Sequence, residues 1–142
     1  MIDAIVRSAL GPLAIILDFI IENPLIASII LFVYLAIYMA GYFQLKNIED
    51  KTTLMVIEIS KQEIKRKPNI TSSGLYKRIY PTWEKELKSW GFFVPHRLEL
   101  WPVLVNPDVI KQKLSFNPQW ISDVLKKNNI VLAENEVQTQ SE

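Results

Sequence analysis

The sequence predicts a membrane-anchored, mostly helical chain: N-terminal α-helical membrane segment(s) followed by a small α+β soluble domain. Three observations carry this. Residues 23–45 hold no charged side chain, and residues 46–142 have ordinary polarity and the length of one small domain. Proline, glycine and two Asn-Pro pairs divide that second part into short helices and one strand-like stretch. The expected organisation is 1–22 as an amphipathic interfacial helix or second span, 23–45 as a transmembrane helix, and 46–67 as a helical linker. A small α+β cytoplasmic domain at 68–132 and a disordered tail at 133–142 complete it.

The first 22 residues form an amphipathic stripe. At 100° per residue, Asp3, Arg7, Gly11, Ala14, Asp18 and Glu22 fall within one arc of about 100°, opposite Ile and Leu side chains. Pro12 removes a helical hydrogen bond and interrupts the pattern. An interfacial helix faces the stripe to water, whereas a second span has to dock it on protein. The interfacial form is expected, because Pro12 leaves only about 11 unbroken residues after it. A signal peptide fits poorly, since Asp18 breaks the apolar run and no small-residue cleavage site follows.

Between Glu22 and Lys46 lie 23 residues. As a helix they cover roughly 34 Å, enough for a hydrocarbon core of about 30 Å. Asn23 is the expected N-cap and Pro24 suits the first helical position. Tyr34, Tyr38 and Tyr42 share one face, with an aromatic-belt reading for the last two and a hydrogen-bond partner expected for Tyr34. Ala36 and Ala40 form a small-xxx-small pair that permits close helix contact. Tyr34, Ala36, Tyr38 and Ala40 are therefore the candidate membrane helix contacts.

Lys46, Lys51, Lys61, Lys65, Arg66 and Lys67 follow the span, whereas residues 1–22 offer only Arg7. The positive-inside rule puts residues 46–142 on the cytoplasmic side. Residues 46–67 lack Gly and Pro, so the helix is expected to continue, although TTLMVIEIS is also compatible with a short strand. Lys65, Arg66 and Lys67 form a basic patch that either meets anionic headgroups or complements the helix end.

Beyond Pro68, the Thr71-Ser72-Ser73 run offers N-caps for a helix over about 73–80. Pro81 is expected to end it and start another over 82–90, which carries Trp83, Leu87 and Trp90 on a buried face. Gly91 reads as a left-handed cap. Phe92 to Val105 suggests a strand around residues 97–101, confined to an edge by Pro95 and Pro102. Asn106-Pro107 and Asn117-Pro118 each start a short helix, the second ending at Asn128-Asn129. Ile130-Val131-Leu132 is compatible with a last strand.

Chemistry is sparse. The chain has no cysteine and one histidine, and a net charge of +1. Disulfide and thiolate chemistry are excluded, no cofactor or metal is expected, and a dedicated nucleic-acid binder is disfavoured. His96 with Glu99 is the one acid–base pair to nominate, at a generic spacing. The expected function is a non-catalytic accessory or scaffold subunit of a membrane protein complex. It would act through helix packing in the membrane and an aromatic-rich cytoplasmic domain, with lipid and a membrane protein or second copy as partners. The alternative is a membrane-tethered winged-helix-like DNA-binding regulator, with helices at 52–66, 73–80 and 82–90 and a hairpin wing at 92–105. Against it, Glu84 and Glu86 accompany Lys85 and Lys88 on the helix that would dock.

Overall fold

The computed structural model describes residues 4, 5, 8, 9, 11–95 and 101–133. Asp3, Arg7, His96, Glu99 and residues 134–142 lie outside that set, and with them the centre of the expected strand and nearly all of the expected tail. The chain divides into two units, Met1–Met39 and Ala40–Glu142.

In the first unit, α1 runs Leu13–Glu22 after a turn at Gly11-Pro12. Gly11 has φ of +50°, a left-handed conformation that glycine adopts without penalty. The ten residues of α1 rise about 15 Å, half a hydrocarbon core. Asn23 ends α1 instead of capping the next helix with its side chain. Its Nδ2 donates to the Phe19 carbonyl at 3.3 Å, as does its backbone N–H at 2.9 Å. The side-chain amide thus serves one of the otherwise unpaired carbonyls at the end of the helix behind it.

Helix α2 is continuous over Pro24–Arg66. The sequence boundary at residue 45 is a change of polarity, not a break in the helix. Within the uncharged part, Ser28 Oγ donates to the Pro24 carbonyl at 2.7 Å, so its hydroxyl is satisfied inside the helix. Only 6% of the most apolar window of α2 is buried. Length and composition let this helix cross a membrane, and it is not the covered core helix that a globular protein would bury.

The second unit is built on the charged half of α2. Ile48, Thr52, Val56 and Ser60 recur every four residues and are fully buried. They face Leu75, Ile79, Trp83 and Leu87, also fully buried, on α3 (Ser72–Trp90). Thr71 caps α3 by accepting from Gly74 N–H at 3.2 Å. Pro81 lies inside α3 and does not divide it. The interruption falls where Lys77, Arg78, Pro81 and Thr82 are exposed, so water can solvate the freed carbonyl while the opposite face stays packed. This single helix also replaces the two helices that the DNA-binding arrangement requires.

Gly91 follows α3 with φ of −178°, extended and not left-handed. Strands β1 (Phe93–Pro95) and β2 (Pro102–Leu104) pair antiparallel, with Phe93 opposite Leu104 and Pro95 opposite Pro102. The strand expected at 92–105 is thus a short hairpin at its two ends. Helix α4 (Pro107–Leu114) and α5 (Pro118–Lys127) start as expected, Asn106 and Asn117 accepting from Asp108 N–H at 3.0 Å and Trp120 N–H at 2.8 Å. Asn129 turns the chain with φ of +56°. Residues 130–132 form no strand; Leu132 instead fills the core.

Phe116, in the loop before α5, closes the core. Its ring centroid is 4.7 Å from that of Trp83, 5.4 Å from Tyr76 and 5.5 Å from Trp120. Trp90, expected in the core with Trp83 and Leu87, is only partly buried. Its position at the last residue of α3 leaves one side of the indole at the edge of a groove. Ser60 is the awkward member of the stripe: its hydroxyl is buried without a hydrogen-bond partner. Ser60→Ala should therefore be neutral or stabilising, by up to about 1–3 kcal/mol. A urea midpoint that falls would show that the hydroxyl is satisfied.

Candidate functional site

The second unit holds a junction between α2 and the hairpin that the sequence reading missed. Gly41 is buried. A Cβ placed there would lie 3.3 Å from Phe93 Cδ2 and 3.5 Å from Pro95 Cδ. One turn on, Gln44 Oε1 accepts from Phe92 N–H at 2.8 Å and from Phe93 N–H at 3.4 Å. A Cβ on Gly91 would lie 2.9 Å from the same oxygen. Two glycines and one amide thus hold the hairpin against residues 41–44. The signal in the sequence was a glutamine and a glycine inside the last two turns of an otherwise apolar run.

Around this junction, large apolar side chains face outward. Phe92 is 80% exposed, Leu104 78%, Trp101 68%, Phe43 60% and Tyr42 53%. These values stand out because the same unit buries Val94 completely one residue from Phe93. Gln44→Ala removes the acceptor for the Phe92 amide. It should cost about 0.5–1.5 kcal/mol, because this hydrogen bond is exposed, and loosen the hairpin first. Faster amide exchange at Phe92 and Phe93 than in α3 checks this.

The expected site residues do not converge. Tyr34 and Tyr38 are partly covered, whereas Ala36 and Ala40 are exposed. Two positions apart is 200° around a helix, so the tyrosine and alanine pairs lie on opposite sides. Asp18 is partly buried and is not without an interaction partner; the same holds for Tyr34. Lys65, Arg66 and Lys67 are exposed at the C-terminal end of α2, where Arg66 pairs with Glu63 at 3.4 Å. From Lys46 to Arg66 the helix rises about 30 Å. The basic patch therefore lies at the helix end, far along the axis from where the uncharged run stops.

Two open grooves lie among the described residues. One, of about 450 Å³, lies between α2 and α3 and is lined by Leu54, Met55, Ile59 and Trp90 with Glu58 and Glu86 at its rim. The other, of about 530 Å³, lies beside Asp108, Lys111 and Phe116. Here the Lys111 ammonium sits 5.6 Å from the Tyr76 ring centroid and 5.7 Å from that of Tyr80. Hydrogen bonding to Tyr76, then the nearby Tyr76 charge, raises the lysine's pKa. Burial, then Glu84, raises that of Tyr80. Both groups hold their protons more tightly when folded. Their stabilisation is fully present below the ordinary values of 10.0 and 10.5 and is lost as pH rises through the higher folded ones. The fold should weaken in that alkaline range, read from urea midpoints at neutral and strongly alkaline pH. Among the described residues, no group of three or more His, Cys, Asp or Glu side chains could hold a metal.

Comparison with protein-family models, curated proteins and solved structures finds no match for this chain.

Proposed function

We propose that the protein is a non-catalytic accessory or scaffold subunit of a membrane complex. One helix, residues 24–45 of α2, holds it in the bilayer, and residues 46–142 fold on the cytoplasmic side. The observation that supports this reading is the exposure of the apolar helix. Leu25, Phe32, Leu31 and Ile30 are 73%, 73%, 58% and 57% exposed on a helix without a charge for six turns. Exposed apolar surface of that extent needs lipid or protein around it. The Lys and Arg side chains that follow favour the cytoplasmic side for the domain.

The groove between α2 and α3 is where a partner protein would be met. Leu54 is 67% exposed there, beside a tryptophan, a residue type enriched at binding hot spots. The test is purification of the full chain from its native membrane in mild detergent. A stoichiometric membrane partner, lost on Leu54→Asp with the chain still in the membrane, is the expected result. A monodisperse monomer with no partner would count against the proposal.

A further inference from the structure

We infer that the paired strands β1 and β2 make a second membrane contact, seated in the headgroup and upper acyl region of the same bilayer that α2 enters. This rests on the reading of residues 24–45 as a span. Gly41 and Gln44 hold Phe93, Pro95 and Phe92 against the last two turns of the uncharged run. Lys46 is about 7 Å further along the axis from Gly41. With Lys46 at the water boundary, whatever packs on Gly41 has to share the depth of the interface, a layer of about 5–7 Å on each side of the hydrocarbon.

The described strands and their flanks present side chains suited to that depth. Leu104 stands directly across from Phe93, on the face that meets Gly41. Leu104, Phe92 and Trp101 are all more than two-thirds exposed, and Tyr42 and Phe43 continue the collar on α2. Aromatic side chains at the end of a span are the ordinary interfacial anchors.

The backbone is prepared as well. An amide without a partner is costly where water is scarce. Pro95 and Pro102, opposite each other, bring no N–H at all. Phe92 N–H and Phe93 N–H reach Gln44, and Val105 N–H reaches the Phe92 carbonyl at 2.9 Å. Gln44 is thereby given a reason to lie inside an apolar run. It satisfies the hairpin's amides at the membrane edge.

The test uses spin labels on the full chain in phosphatidylcholine–phosphatidylglycerol vesicles. Three single-cysteine variants are needed: Leu104→Cys, Ile30→Cys within the span and Leu54→Cys beyond it. Accessibility is read with oxygen, which concentrates in lipid, and with a water-soluble nickel chelate. The expected result is a high oxygen-to-nickel ratio at position 30, a low ratio at 54, and a ratio at 104 well above that at 54. A lipid-like position 30 with 104 as water-accessible as 54 would overturn the inference and leave the span intact. A label at 104 shielded from both reagents would also overturn it, in favour of contact with a second copy. Water access at position 30 would overturn the span, and this inference with it.

Discussion

Trp83→Ala is expected to unfold most of the Ala40–Glu142 unit. Trp83 is fully buried, its ring 4.7 Å from that of Phe116 and 5.7 Å from that of Tyr80. Its indole N–H donates to Thr52 Oγ1 at 2.9 Å, across the α2–α3 interface. Truncation removes the ring, leaves a cavity and orphans a buried hydroxyl. The cavity and lost burial cost about 3–5 kcal/mol, with about 1–3 kcal/mol more for the unpaired hydroxyl. A small unit has about 5–15 kcal/mol in total. Trp83→Phe keeps most of the burial and should lose much less. Trp90→Ala, at the rim of a groove, should move the urea midpoint only slightly. Similar shifts for Trp83→Ala and Trp90→Ala in the full chain in detergent would contradict this packing.

The second large effect concerns the bilayer. Leu31 and Leu35 are exposed on one face of α2, close to the middle of the uncharged run. A lysine near the centre of a span costs about 2.5–3.5 kcal/mol on insertion scales, and the lost leucine adds a few tenths each. Leu31→Lys with Leu35→Lys therefore removes about 6–8 kcal/mol of insertion free energy. The expected outcome is a chain that alkaline carbonate extracts from membranes, where the parent resists extraction. A double variant that stays as firmly bound as the parent would mean that these side chains meet protein or water, not lipid.

The parts of this fold that were legible in the sequence are those written in neighbouring residues. The uncharged run, the Gly- and Pro-free continuation to Arg66, and the caps at Thr71, Asn106 and Asn117 are local signals with local causes. What was not legible depends on distant pairs. Gln44 meets Phe92 across 48 positions, and Trp83 meets Thr52 across 31. Nothing near Phe116 marks it as core, because it follows a helix end and joins the stack only once α3 and α5 have packed. Pro81 misled for a related reason: its local penalty of about 3 kcal/mol was outweighed by the packing of Leu75, Ile79, Trp83 and Leu87, which holds both halves of α3 in one line.

Sidedness tests the central claim, one span with residues 46–142 in the cytoplasm. The chain has no native cysteine, so single cysteines report without background. Ser8→Cys and Lys61→Cys are exposed to a membrane-impermeant maleimide, first in intact cells and then after permeabilisation. The expected result is labelling of position 8 in intact cells and of position 61 only after permeabilisation. Labelling of position 61 in intact cells would contradict it.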